Sequence, residues 1–403
     1  PQSKADVTEY EIPTGVKQIR KNAFYFNGKI EKVIVPDSMQ SIGEYAFYAC
    51  DNLKEVILGK GLESIERCVF YNCGKLEKLT VNGTVKELGD YVFDYTTIKE
   101  LQIGKDVTNV KEEFYSRNTL EKIEVEAGSK SYASQDGVLY NKEKTKLIRY
   151  PQSKADVTEY EIPTGVKQIR KNAFYFNGKI EKVIVPDSMQ SIGEYAFYAC
   201  DNLKEVILGK GLESIERCVF YNCGKLEKLT VNGTVKELGD YVFDYTTIKE
   251  LQIGKDVTNV KEEFYSRNTL EKIEVEDGSK SYASQDGVLY NKEKTELIRY
   301  PQSKADVTEY EVPDGVEKLR ENAFCYNESI EKVTLPDSVQ SIGEYAFGRC
   351  RNLQDIRIAD GLNSIGRRAF GYCEKMKKIQ LPDSLEKIMD YAFEGCSNLT
   401  IYC

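Results

Sequence analysis

Apolar positions recur along this chain with a period in the low twenties, and each block repeats one internal spacing. Segments starting at Ile30, Leu53, Leu76, Ile98 and Leu120 carry apolar residues at their first, fourth and sixth places, as in Ile30, Val33 and Val35 or Leu53, Val56 and Leu58. A polar bend follows, Pro36-Asp37-Ser38 or Gly59-Lys60-Gly61, and then an aliphatic pair three apart: Met39 and Ile42, Leu62 and Ile65, Val85 and Leu88. A phenylalanine recurs at Phe24, Phe47, Phe70, Phe93 and Phe114. The block predicts a short strand, a bend, a second short edge and a one-turn helix, as over Asn22 to Phe26. Glycine, proline and β-branched residues inside each block argue against a continuous amphipathic helix. One block alone buries too little apolar surface to offset an ordering entropy of roughly 1–2 kcal/mol per residue. Stacked blocks cover each other, so the pattern predicts a solenoid.

A longer repeat is superimposed on the short one. Residues 1–150 and 151–300 are the same text except for Ala127/Asp277 and Lys146/Glu296, and residues 301–403 are a diverged, shorter third copy. The first block starts at Val7, and the third copy starts at Val307 and continues at Ile330, Leu353 and Met376. Two apolar runs around a polar loop, Val138-Leu139-Tyr140 and Leu147-Ile148-Arg149-Tyr150, predict a β-hairpin near 136–151, with its counterpart near 286–301. Pro1 is no initiator, and neither end carries a cap. The expectation is a segment of a longer protein.

A period in the low twenties is that of leucine-rich repeats. The text Ile12-Pro13…Phe24…Asn27 and Val35-Pro36-Asp37-Ser38…Ala46-Phe47…Cys50 resembles the BspA-like leucine-rich repeat family of bacterial surface proteins, as does Leu335-Pro336-Asp337-Ser338…Ala346-Phe347…Cys350. The resemblance extends over essentially the whole chain. It implies an extracellular or cell-surface location, an interaction or adhesion role, and a hairpin of the DGVLY…LIRYP type. Thr96 and Arg117 stand where that family often has cysteine.

Charge and residue types narrow the chemistry. A net charge of −9 speaks against a nucleic-acid footprint, and no apolar run is long enough to span a membrane. The chain has no histidine, which removes histidine-based triads and metal sites. No phosphate-binding glycine loop or calcium loop is present, so neither a cofactor nor an enzymatic activity is expected. Cys50, Cys73, Cys200, Cys223, Cys350, Cys373 and Cys396 share one repeat position. Neighbours ~5 Å apart are close enough for disulfides, but stacked side chains point alike, so free buried thiols are expected.

Three surface features bear on function. The outward pairs Glu31-Lys32, Lys54-Glu55, Glu77-Lys78, Lys99-Glu100 and Glu121-Lys122 reverse order at every block. Stacked, they predict a checkerboard of cross-strand ion pairs that neutralises itself. The next outward column places Ile34, Ile57, Ile184 and Ile207 on the concave sheet, either as partner anchors or as plain strand formers. Tyr25, Tyr48, Tyr71 and Tyr115 each follow the core phenylalanine and line one flank, suited either to recognition or to packing between blocks.

The fold expected is therefore an α/β (β-rich) repeat: a single right-handed leucine-rich repeat solenoid over 1–403, with a concave parallel sheet, short strands and one-turn helices on the convex side, and two hairpin insertions. The function expected is non-enzymatic binding of a protein or glycan ligand. The alternative is a passive stalk or spacer displaying another domain. Duplication suits both, since it lengthens a rod and multiplies a site.

Overall fold

Three-residue strands form around the fourth place of each block; Val33, Val56 and Leu79 are buried at their centres, whereas Tyr10 and Ile401 in the first and last of these strands are exposed. In a computed structural model, residues 8–81, 84–111, 113, 119–154, 157–231, 234–261, 269–304 and 307–402 are described, apart from the side chains of Lys78, Thr80, Lys228 and Thr230. Val7, Phe114, Tyr115, Arg117 and Cys403 lie outside the described residues. The chain divides into two compact units, Pro1–Glu181 with Ser191–Asn202, and Lys182–Gln190 with Leu203–Cys403.

In the first unit one parallel ladder runs through Glu9–Glu11, Lys32–Ile34, Glu55–Ile57, Lys78–Thr80, Glu100–Ile103 and Lys122–Val125. Its register sets Val33 on Val56 and Val56 on Leu79, the positions the spacing makes equivalent. A second parallel ladder is built from two-residue strands, Gln18–Ile19, Ser41–Ile42, Ser64–Ile65, Glu87–Leu88 and Asn109–Val110. The core lies between the ladders as one cluster that includes Val33, Met39, Ile42, Phe47 and Phe70. Each fully buried side chain of this size contributes about 1.5–3 kcal/mol.

The one-turn helices expected on the convex side do not form; no helix occurs among the described residues. Tyr45 and Ala49 adopt φ of 58° and 53°, in the left-handed region, and so interrupt any helical turn. The backbone then alternates its bonds. Tyr45, Phe47 and Ala49 donate N–H groups to Arg67, Val69 and Tyr71 of the next turn, while Ala46, Tyr48 and Cys50 donate to residues three earlier. A helix satisfies only its own segment. This stack of β-turns joins neighbouring turns at every second residue, which offsets the roughly 1–3 kcal/mol of each left-handed residue.

Two further contacts fix the spacing of turns. Gly59 and Gly61 lie on the bend of the preceding turn: a Cβ at Gly59 would stand 2.1 Å from the Pro36 carbonyl oxygen, and one at Gly61 2.2 Å from that of Asp37. Asp37 Oδ1 accepts the Lys60 N–H at 2.8 Å. On the other side, the cysteine column bonds upward. Cys50 Sγ donates to the Phe24 carbonyl at 3.2 Å and Cys73 Sγ to that of Phe47 at 3.1 Å. The cysteines described are free thiols, and burial pushes the Cys73 thiol well up, which keeps it protonated as a donor.

Strands Tyr132–Gln135, Val138–Asn141 and Lys146–Arg149 pair antiparallel, so the antiparallel segment opens one strand before position 136. It does not simply interrupt the stack. Lys146–Arg149 pairs in parallel with Gln168–Ile169, which pairs with Ser191–Ile192, and so begins a new short ladder. The Ile123 N–H donates to the Gly137 carbonyl, and Tyr132 Oη accepts the Val110 N–H at 2.9 Å. Both older ladders thus end on this segment.

The second unit repeats the plan. Lys182–Ile184, Glu205–Ile207, Lys228–Thr230, Glu250–Ile253 and Lys272–Val275 run parallel, as do Ser214–Ile215, Glu237–Leu238 and Asn259–Val260. Antiparallel strands Tyr282–Gln285, Val288–Asn291 and Glu296–Arg299 lead into a ladder from Lys318–Leu319 to Lys387–Ile388. Glu309–Glu311, Lys332–Thr334, Asp355–Arg357, Lys378–Gln380 and Thr400–Tyr402 form the last sheet.

Candidate interaction surface

The charged columns pair across strands over part of their length, whereas Lys122 and Lys272 turn to Glu124 and Glu274 of their own strands, each at 2.9 Å. Lys32 Nζ lies 3.3 Å from Glu55 and 3.7 Å from Glu9, and Lys54 Nζ lies 2.9 Å from Glu31. Lys99 reaches Glu121 at 3.3 Å, and in the second unit Lys182 reaches Glu205 at 3.4 Å and Lys332 reaches Glu309 at 3.2 Å. The hydrogen bond to Glu55, then its charge and that of Glu9, raise the Lys32 ammonium above its ordinary range. Side chains this exposed are screened by solvent, and paired columns leave little field for a charged ligand.

The aliphatic column is only half as exposed as the sequence predicts. Ile34 pairs with Ile57 and Ile184 with Ile207 in register. Ile57 and Ile207 are exposed at 42% each, but Ile34 and Ile184 are half-buried. In the third copy the same column reads Thr334 and Arg357, so the aliphatic pair belongs to the first two copies.

The tyrosine flank is a stack. Tyr25 lies on Tyr48 with centroids 4.9 Å apart at 17°, and Tyr48 on Tyr71 at 5.1 Å and 2°. Tyr25 is exposed, whereas Tyr48 and Tyr71 are half-buried. Alternating inter-turn bonds explain the spacing, because the backbone of each turn is held one ladder step from the next. Burial, followed by Tyr95 and Asp94, pushes the Tyr71 hydroxyl up to about 12, and burial followed by Tyr25 raises that of Tyr48. These hydroxyls stay neutral at physiological pH and can donate as well as accept.

Phe26 belongs to the same surface and is not singled out by the sequence pattern. It is 62% exposed, at φ 57°, edge-on to Tyr25 at 4.7 Å and tilted against Tyr48 at 5.7 Å. In the stretch Phe24-Tyr25-Phe26 alternation assigns one phenylalanine to the core but does not say where the other goes. Its counterpart Phe176 makes the same contacts with Tyr175 and Tyr198 but is half-buried.

Buried polar groups elsewhere are structural. Tyr140 Oη meets Tyr160 Oη at 2.5 Å, and burial raises the hydroxyls of Tyr150 and Tyr160. Buried Arg149 donates to the Asn172 carbonyl. Among the described residues no group of three or more His, Cys, Asp or Glu side chains could hold a metal ion. No helix among them is long and apolar enough to cross a membrane.

Parallel ladders stacked turn on turn around an apolar core, with a recurring Leu/Ile, Phe and Cys/Asn frame, define a leucine-rich repeat β-solenoid. The chain belongs to the BspA type leucine rich repeat family, which matches residues 4–143, 153–292 and 302–402. A leucine-rich repeat protein from Eubacterium ventriosum shares the fold at a TM-score of 0.52 and 22% identity, over 96% of this chain and 82% of that one. The pneumococcal vaccine antigen PcpA aligns with a TM-score of 0.49 at 22% identity, over 80% of this chain and 71% of that one. A leucine rich cell surface protein from Faecalibacterium prausnitzii aligns with a TM-score of 0.44 at 23% identity, over 98% and 81%. A search of the curated proteins finds no significant match.

Proposed function

We propose that this chain is a non-enzymatic, cell-surface or secreted protein that binds a protein or glycan ligand through Ile57, Ile207 and its aromatic flank. The observation that carries the reading is the contrast on the surface: a self-paired ion ladder offers a ligand little, while Ile57 and Ile207 stay uncovered in both copies, beside an aromatic flank that is exposed at Tyr25 and Phe26 and half-buried at Tyr175 and Phe176. Aromatic and aliphatic anchors of this kind concentrate binding energy. Family membership supports the surface location. The absence of histidine from the chain supports a role without catalysis.

The test is retention of the full chain on immobilised extracellular-matrix proteins and glycans, measured by surface plasmon resonance. For any ligand the native chain retains, Ile57→Asp with Ile207→Asp, or Tyr25→Ser with Phe26→Ser, weakens binding at least tenfold. Unchanged binding in both variants refutes the surface assignment. No retention of any ligand by the native chain favours the spacer instead.

A further inference from the structure

The third copy is rewritten along one edge, and there the second unit carries a groove of about 470 Å³. Small-ligand sites span roughly 300–1,000 Å³. Two guanidinium groups define it. Arg349 lies over two rings, its Cζ 5.7 Å from the centroid of Tyr326 and 4.9 Å from that of Tyr372. Arg351 is steadied by Glu374, Nε to Oε1 3.6 Å. Ser303, Ser329 and Tyr326 add hydroxyls, and Glu328 is the carboxylate of the lining. Within the lining two arginines stand against Glu328, and with Arg351 paired to Glu374 the Arg349 guanidinium is the cation the groove presents.

The internal repeat supplies a comparison. One copy earlier, Phe176, Gly178, Lys179, Ala199 and Asp201 stand where Tyr326, Glu328, Ser329, Arg349 and Arg351 line the groove. All five have changed. Gly348 and Gly371 also replace the stacked tyrosines that precede these positions in the first two copies. The edge that carries a tyrosine ladder in one copy carries an arginine held by tyrosines in the other.

The geometry points to a site for a carboxylate-bearing saccharide, a uronic or other acidic sugar. The Arg349 guanidinium lies over the Tyr326 and Tyr372 rings, and a planar guanidinium pairs bidentately with a carboxylate through its N–H groups. The Tyr326 ring offers an apolar face with a polar tip to a pyranose, and the hydroxyls and Glu328 match sugar hydroxyls. A phosphate dianion fits less well, because Glu328 repels its second charge. The inference rests on the reading of the chain as a binding protein, but uses neither Ile57 nor Tyr25, so the two readings fail separately.

The full chain is titrated with D-glucuronate, with D-glucose, acetate and glucose 6-phosphate as controls, by calorimetry and saturation-transfer NMR. D-glucuronate is expected to saturate one site, with each control at least tenfold weaker. Arg349→Gln and Arg351→Gln are each expected to weaken D-glucuronate at least tenfold. Arg351 is exposed, so the Arg351→Gln chain folds normally and decides the matter if Arg349→Gln lowers the melting temperature. The site is refuted if D-glucuronate does not bind, if Arg351→Gln binds it as the native chain does, or if acetate or glucose 6-phosphate binds equally well.

Discussion

Phe47→Ala is expected to destabilise the first unit by ~3–5 kcal/mol, the range for removing a fully buried phenylalanine. Phe47 is fully buried and lies between Phe24, 4.8 Å away at 4°, and Phe70, 5.7 Å away at 15°. Alanine there leaves a void that the two flanking rings cannot both close, because each is fixed by its own turn's bonds to the next. In a repeat array each turn contacts only its neighbours, so the loss is local as well as large. Hydrogen exchange should show the amides of Tyr45, Phe47 and Ala49 losing protection first, and guanidinium denaturation should give the magnitude. Phe26→Ala is the internal control. The ring is exposed, and its removal should change stability by only about 0.5 kcal/mol.

Gly59→Ala is expected to cost about 3 kcal/mol or more, at the upper end of overpacking effects. The new methyl group would stand 2.1 Å from the Pro36 carbonyl oxygen and 2.7 Å from the Asp37 backbone nitrogen. Both are backbone atoms of the adjoining turn, so no side chain can swing aside. The two turns must separate, which also breaks the bond from the Lys60 N–H to Asp37. The same substitution at Gly209 meets the Pro186 carbonyl oxygen at 2.1 Å and should behave alike. Gly74→Ala, with no atom within 4 Å of the added carbon, should be close to neutral. Thermal unfolding of the three variants checks the order. A Gly59→Ala chain as stable as Gly74→Ala would refute the close stacking of these bends.

The parts of the fold legible in the sequence are those set by identical side chains at one spacing. Val33, Val56 and Leu79 stack because a shift of one residue would send each to the opposite face. Lys32 meets Glu55 because the charged pair reverses order between blocks. The parts not legible depend on backbone conformation. The stretch around Ala46, Phe47 and Cys50 has apolar residues three and four apart, the spacing of a helix, and only the left-handed φ of Tyr45 and Ala49 turns it into inter-turn bonds. Tyr132 escaped the strand assignment because its neighbours Ser131 and Ser134 are polar; its hydroxyl bonds to the end of the short ladder rather than to anything near it in sequence. The aliphatic and tyrosine columns could be read as columns. The exposure of Ile57 against Ile34, and of Tyr25 against Tyr48, could not, because exposure depends on what each neighbouring turn covers.

Equivalent residues of successive blocks lie one ladder step apart, and pyrene excimer emission reports that spacing directly. With pyrene on cysteines introduced by Ile34→Cys and Ile57→Cys, whose Cα atoms are register partners, strong excimer emission is expected in the full chain at low concentration. With the pair Ile34→Cys and Gln102→Cys, three strands apart in the same column at ~4.8 Å per strand, only monomer emission is expected. Monomer emission from both pairs, or equal excimer emission from both, would contradict the stacked register.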